Sequence, residues 1–290
     1  MAEDEVLIKM HSAPIHPADM GFCRGYYGDK SKLTPPLGCG MEGAGEIVEI
    51  GSSVEESYKG KRVAVTHDIY EPRYQGTYRQ FLYAKADEVI AFPEDCDFDM
   101  ISCAVGNPMT ICGFIDYAQK NGHTSLINDA ASSACGKILI QAAKFFNMKL
   151  INIVRKEEHV KLLAELGSEY TLNYSTDEFP EELAKAIKET EPTCYFTAIA
   201  GEIAGYVLDQ MQNGSTMVIY GALSMENVSL DPRSVIFKSK TVTNYWLPVS
   251  FTIKTTFILG LDEVFISRRK REMDESCHRR YIFRWQSIWN

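Results

Sequence analysis

The pattern of apolar and polar positions is organised around residues 124–156, which read TSLINDAASSACGKILIQAAKFFNMKLINIVRK. Ser125-Leu126-Ile127-Asn128 is a short strand-like run, and residues 130–136 contain nothing larger than cysteine. Ile138, Leu139, Ile140, Ala142, Ala143, Phe145 and Phe146 then give a helix apolar nearly all round, which predicts burial on a sheet. Leu150-Ile151-Asn152-Ile153-Val154 follows as an unbroken apolar run, the pattern of a buried parallel strand. Together they predict a β-α-β unit with small residues at its first corner.

The same alternation continues downstream. A helix is predicted over 157–166, closed by Gly167, then a strand over 170–173 and a helix over 181–190. Strands at 195–200 and 216–219 flank a helix at 203–211. Upstream the pattern shortens. Strands are predicted at 6–10, 46–50, 61–65 and 78–84, with a Pro-bounded turn at 12–19, a Gly-flanked loop at 24–29 and a glycine-rich lead at 38–45. Short strands and frequent turns predict a small, irregular β-barrel-like domain. The fold class is therefore α/β, with a β-rich half followed by a doubly wound half.

Composition narrows the function classes. The 290 residues carry a net charge of −9, so nothing favours nucleic acid or an anionic membrane surface. No apolar run has the length of a membrane span. The opening MAEDEV passes straight into a strand pattern and shows neither a signal nor a transit peptide. The eight cysteines are scattered without a C-x-x-C, which predicts reduced, buried thiols and no zinc cage.

The turn at 131–136 carries chemistry. A pyrophosphate approaches backbone N–H groups where side chains are small, and the following helix N-terminus favours anions. The usual G-x-G-x-x-G becomes Ala131-Ser132-Ser133-Ala134-Cys135-Gly136, keeping one glycine. A plain β-α-β corner would read alike. The end of the second strand separates the cofactors: a unit for NAD carries Asp or Glu there, whereas this chain has Arg155-Lys156, which suits a 2′-phosphate. Glu157 and Glu158 have an ordinary explanation in the dipole of the next helix. The expected cofactor is NADP(H), held by Ser133, Ala134, Cys135, Gly136, Arg155 and Lys156.

Taken in order, APIHPAD, RGYYGD, GMEGAGEIVEIGSSV, YKGKRVAV and GTYRQF resemble the GroES-like catalytic domain of the medium-chain dehydrogenase/reductase superfamily. INIVR, NYSTDEF and NGSTMVIYGAL support the same placement. Within the superfamily the chain is most similar to the mitochondrial trans-2-enoyl thioester reductases, then to quinone oxidoreductases. The resemblance implies a GroES-like catalytic domain at 1–107, a Rossmann NADP-binding domain at 108–265 and an atypical basic tail at 266–290.

Where zinc-dependent members carry Gly-His-Glu, this chain reads Gly40-Met41-Glu42, and a thioether is a poor zinc ligand. A zinc-free site is expected, with His11, His16 and His67 at the surface or structural. The resemblance then assigns polarisation of the substrate to Tyr27 of Gly25-Tyr26-Tyr27-Gly28. Hydride addition to an enoyl thioester places negative charge on the carbonyl oxygen and α-carbon. A phenol of pKa ~10 stays protonated at neutral pH and can hydrogen-bond the enolate and donate the proton. The bland alternative is a loop tyrosine packed on the core, and Tyr26 takes the role if the register shifts by one.

Gly106-Asn107-Pro108-Met109-Thr110 resembles the Val-Asn-Pro-x-Thr stretch, which implies that Asn107 and Thr110 reach the nicotinamide; a simple turn and helix start reads the same way. Tyr220-Gly221-Ala222-Leu223 leaves a strand at its carboxyl end, where ligands bind in open α/β sheets, and resembles a Tyr-Gly-Gly-x stretch lining the nicotinamide pocket. Tyr245 and Trp246 resemble a Gly-Phe-Trp-Leu segment offering backbone groups to the carboxamide, although aromatic pairs at strand ends are more often core. The implied activity is NADPH-dependent reduction of the C2–C3 double bond of an enoyl thioester by a mitochondrial homodimer. Quinone or enone reduction and a non-catalytic accessory subunit are the alternatives, and the bare N-terminus reads as cytoplasmic. The resemblance also implies a strand or two before Val6 and closing strands after 265. The tail at 267–290 instead holds seven Lys or Arg against three Asp or Glu.

Overall fold

The computed structural model describes residues 1–33, 35–66 and 70–247. The resemblance beyond 247 and the basic tail lie outside these residues, as does His67. The chain divides into two compact units, one of residues 1–109 with Leu247 and one of Thr110–Trp246.

In the first unit, β1 (Glu5–Ser12) is followed by a helix α1 (Pro17–Cys23), then β2 (Glu42–Ile50), β3 (Arg62–Thr66), β4 (Phe81–Lys85) and β5 (Ile90–Phe92). These five strands form an antiparallel sheet in the order β4-β1-β2-β3-β5. Val6, Ile8, Ile47, Val63, Val65 and Leu82, none more than 2% exposed, project to one face and close a core with Ala84. Alternation of period two puts them there. On the other face Ala44 and Ala64 pack with Ile101, Val105 and Met109, brought by α2 (Phe98–Ser102) and the start of α3 (Gly106–Lys120).

One segment read as a turn is helical, and the helix start weighed as the alternative at Asn107-Pro108 is present. α1 begins inside the Pro-bounded turn because Pro17 sits at the first helical position, where its missing N–H costs nothing. The Asp19 carboxylate also accepts the His16 N–H at 2.5 Å and closes the first turn. Gly106-Asn107-Pro108 opens the 15-residue α3, with the Glu42 carboxylate accepting from the Gly106 N–H at 2.7 Å and the Val105 N–H at 3.3 Å. A carboxylate at a helix N-terminus is stabilised by the dipole.

The second unit alternates β6 (Ser125–Asn128), α4 (Ala134–Phe145), β7 (Lys149–Val154), α5 (Glu157–Glu165), β8 (Tyr170–Asn173), α6 (Phe179–Thr190), β9 (Cys194–Thr197), α7 (Gly201–Gln210), β10 (Thr216–Ile219), α8 (Pro232–Phe237) and β11 (Thr241–Asn244). All six strands are parallel in the order β11-β10-β9-β6-β7-β8. This is the doubly wound Rossmann order, whose switch point lies between β6 and β9. Ile127, Ile151, Ile153, Tyr195 and Met217 fill one layer against Leu183, Val207 and Leu208 of the helices. Each such side chain contributes about 1.5–3 kcal/mol on leaving water. The strand predicted over 195–200 stops at Thr197 because a buried carboxylate takes over the next backbone groups, as described below. α4 is buried on one face only, and Phe145 is 52% exposed.

Candidate functional site

The second unit gathers chemistry at the carboxyl ends of its strands. After β6 the chain turns through Ala130, whose φ of 47° lies in the left-handed region, and reaches Ser133. Ser133 caps α4: its Oγ accepts the Gly136 N–H at 3.1 Å. The first N–H groups of a helix have no intrahelical acceptor, so this end favours an anion. Gly136 is needed for close approach, because a Cβ there would stand 2.2 Å from the Ala131 carbonyl oxygen. Sequence-predicted Ser133, Ala134, Cys135 and Gly136 thus form one capped helix start.

Arg155 and Lys156 follow β7 and behave differently. Lys156 Nζ pairs with Glu158 at 3.0 Å. The Arg155 side chain is exposed and has no ion-pair or hydrogen-bond partner among the described residues, while its carbonyl accepts from Ser175 Oγ at 2.9 Å. A third group stands at this corner: His159 Nδ1 lies 3.0 Å from Ser132 Oγ, tying the small-residue turn to α5. Its signal in the sequence was weak, a histidine two residues into an acidic helix start.

At the switch point sits Asp129, which the sequence reading did not single out. Its fully buried carboxylate accepts from Tyr195 Oη at 2.6 Å, Thr197 Oγ1 at 2.5 Å and the N–H groups of Ala198 at 2.7 Å and Ile199 at 3.1 Å. Burial pushes this carboxyl up from its ordinary value, and the four donors pull it back. The one available signal was an acidic residue directly after an apolar strand.

Beyond β10, Tyr220 is buried, and its hydroxyl has no hydrogen-bond partner among the described residues. Burial holds the phenol well above its ordinary pKa, so it stays a donor. An orphaned donor at a strand's carboxyl end fits a polar ligand group such as a carboxamide. Gly221, Ala222 and Leu223 continue from it, and the Leu223 N–H returns to the Ala198 carbonyl at 2.9 Å. Tyr245 directs its side chain elsewhere: the ring lies edge-on to Phe114 at 5.2 Å, and its hydroxyl occupies the space a Cβ of Gly113 would take. Any role of Tyr245 in binding therefore falls to its backbone. Trp246 is 47% exposed.

In the first unit, Tyr27 is half-buried in the loop after α1, its Cβ 3.6 Å from where a Cβ of Gly21 would stand. Tyr26 is 64% exposed, with Lys30 Nζ 5.7 Å from its ring centre. His16, expected at the surface or structural, reaches inward: its Nε2 is 2.7 Å from the buried Glu42 Oε1. Desolvation lowers the His16 pKa, but Glu42 and Asp19 outweigh it and the net shift is upward. Asn107 and Thr110 lie in the first two turns of α3.

Two families match the chain in succession. The alcohol dehydrogenase GroES-like domain covers residues 2–94, and the zinc-binding dehydrogenase family covers residues 134–261. The chain belongs to the medium-chain dehydrogenase/reductase superfamily. Within that superfamily it is similar to the mitochondrial enoyl-[acyl-carrier-protein] reductase of Mus musculus, with 29% identity over 248 residues. That match covers 84% of this chain and 65% of the mouse protein, so the chain spans about 65% of its relative's length. Escherichia coli quinone oxidoreductase, solved in complex with NADPH, superimposes with a TM-score of 0.77 at 22% identity, covering 95% of this chain and 84% of that one. The mitochondrial 2-enoyl thioester reductase heterodimer of Candida tropicalis gives 0.72 at 23%, covering 90% and 78%. These two structures share the superfamily fold.

The superfamily includes zinc enzymes, and the residues present do not fit that metal. Met41 stands at the histidine position, and the Glu42 carboxylate is committed to His16 and the start of α3. Among the described residues no three His, Cys, Asp or Glu side chains converge on a metal position.

Proposed function

We propose that this protein reduces the C2–C3 double bond of an enoyl thioester with NADPH. Similarity to mitochondrial enoyl-[acyl-carrier-protein] reductases along 84% of the chain carries the reading. The capped start of α4 supports a pyrophosphate, the Arg155 guanidinium, without a partner among the described residues, supports a 2′-phosphate, and the buried Tyr220 hydroxyl supports the nicotinamide end. NADPH supplies a hydride when bound. The chain's own contribution is electrostatic: Tyr27 donates a hydrogen bond and then a proton as negative charge develops on the thioester, with Asn107 orienting the reacting groups. Glu42 holds the first turn of α3, and therefore Asn107, in place.

Two further assignments belong to this proposal. β11 closes one edge of the parallel sheet with Val242 38% exposed, and Ile236 and Phe237 of neighbouring α8 are 66% and 77% exposed. That edge has no further strand partner among the described residues, and an open edge beside apolar side chains favours pairing with a second copy, giving a homodimer. Similarity to mitochondrial relatives supports a mitochondrial location.

The test is a substrate comparison with the full chain and NADPH, measuring kcat/KM for a trans-2-enoyl-CoA, a trans-2-enoyl-acyl carrier protein and a small quinone. A preference for either thioester supports the proposal. Turnover of the quinone alone replaces it with quinone reduction, and NADPH binding without turnover of any acceptor replaces it with an accessory role.

A further inference from the structure

Cys23 is the last residue of α1, and Cys39 precedes Gly40-Met41-Glu42. Their Sγ atoms lie 2.8 Å apart, roughly 0.8 Å beyond the length of a disulfide bond. The backbone on both sides is fixed. The Cys39 carbonyl accepts the Tyr78 N–H at 3.0 Å, and the Gly40 carbonyl accepts the Thr77 N–H at 3.1 Å. The Met41 N–H donates to Asp19 Oδ1 at 2.7 Å, which ties this strand lead to α1, and the Arg24 N–H returns to Met20. The two thiols are thus held together by fixed backbone, and Cys23 is exposed where Cys39 is half-buried. A scattered set of buried thiols was the sequence expectation. Cys96, Cys112 and Cys194 fulfil it, and this pair does not.

We infer that Cys23 and Cys39 are a peroxide-responsive thiol pair that closes to a disulfide and tethers the loop carrying Tyr26 and Tyr27. The pair is polarised. The hydrogen bond to Cys23, with burial second, pushes the Cys39 thiol up to about 11. Exposed Cys23 is then the attacking group and Cys39 the resolving one, because the thiolate is the nucleophile and access decides which sulfur meets the oxidant. The Cys23 thiolate attacks the terminal oxygen of a hydroperoxide. The O–O bond breaks, the alkoxide leaves and takes a proton as an alcohol, and Cys23 becomes a sulfenic acid. Cys39 sulfur next attacks the Cys23 sulfur, the S–O bond breaks, and the hydroxide leaves as water with the Cys39 proton. Two thiols lose two electrons in all, and the hydroperoxide gains them.

Closure joins residues 23 and 39 into a covalent ring that contains Tyr26, Tyr27 and the trypsin sites Arg24, Lys30 and Lys32. This chemistry needs neither NADPH nor an enoyl substrate, so it stands or falls separately from the proposed activity. The full chain, reduced and desalted, is treated with an equivalent of hydrogen peroxide and examined by intact mass and non-reducing peptide mapping. The expected result is loss of two hydrogen atoms, one disulfide linking 23 to 39, reversal by dithiothreitol under native conditions, and several-fold slower tryptic cleavage within the ring. Cys39→Ser should leave a sulfenic acid on Cys23 that dimedone traps, and Cys23→Ser should leave residue 39 unlabelled. A disulfide mapped to other cysteines, retention of both thiols by the folded parent, or a bond that native reduction cannot reopen would overturn the inference. Parent mapping needs no variant to fold.

Discussion

Replacing Gly136 by alanine tests whether the turn before α4 is held by direct backbone contact. The added Cβ would stand 2.2 Å from the Ala131 carbonyl oxygen and 2.5 Å from its carbonyl carbon and Cα. Backbone atoms cannot swing aside, so the turn and the first turn of α4 must part by about an ångström, a strain of the kind that costs typically 1–3 kcal/mol. Alanine returns up to about 1 kcal/mol of helix propensity. A net loss of about 1–2 kcal/mol lowers Tm by roughly 2–8 °C for a chain of this size. Gly205→Ala is the control, since its Cβ would meet the Ser229 carbonyl oxygen at 1.7 Å, away from the turn. Both variants should melt earlier. Displacing positioned groups by ~1 Å costs on the order of 100-fold where geometry matters. NADPH fluorescence titration should therefore show affinity falling at least ~10-fold in Gly136→Ala and staying near the parent value in Gly205→Ala. Parental NADPH affinity in a folded Gly136→Ala would refute a nucleotide seat at this turn.

Arg155→Ala should weaken NADPH binding by about 1.5–3 kcal/mol, the range for a charged hydrogen bond, and leave NADH binding unchanged; equal losses for both nucleotides would remove the 2′-phosphate assignment. Tyr27→Phe should lower kcat with an enoyl-CoA by roughly 100- to 10,000-fold with little change in NADPH affinity, and parental turnover would return the role to Tyr26 or to water. Glu5 is held down to about 2, first by its hydrogen bonds from Arg73 and in spite of burial. Its folded pKa lies below the ordinary 4.5, so its contribution is complete above pH 4.5 and is lost as pH falls toward about 2. Urea midpoints measured across that window should fall more steeply for the parent than for Arg73→Met, and parallel slopes would show that the pair carries no such linkage.

The doubly wound half was largely legible because its signals are local. The strands at 170–173 and 216–219 stand where their apolar runs put them, and the capped start of α4 follows from small residues beside an apolar helix. Helices containing Gly, Asn and Pro were harder. α1 and the first turn of α3 carry turn-like residues, and what makes them helical is a carboxylate: Asp19 for α1, and for α3 Glu42, more than 60 positions away. Distance along the chain also hid Asp129, whose partners lie 66 to 70 residues ahead, and the Cys23–Cys39 approach across 16. α8 and the edge strand β11 are short and half-exposed, so no periodic pattern marks them. Candidate residues read from local chemistry, such as Ser133 and Arg155, could therefore be named from the sequence, and groups defined by tertiary approach could not.

The Asp129 carboxylate also has a kinetic meaning. Ala198 and Ile199 lie past the end of β9, where loop amides ordinarily trade their hydrogens with solvent quickly. Here each donates to a buried carboxyl group that also holds Tyr195 and Thr197, and none can let go without leaving that group short of partners in a dry interior. The crevice wall between β6 and β9 should therefore open only with the sheet itself, keeping slow exchange in a segment that looks like a loop.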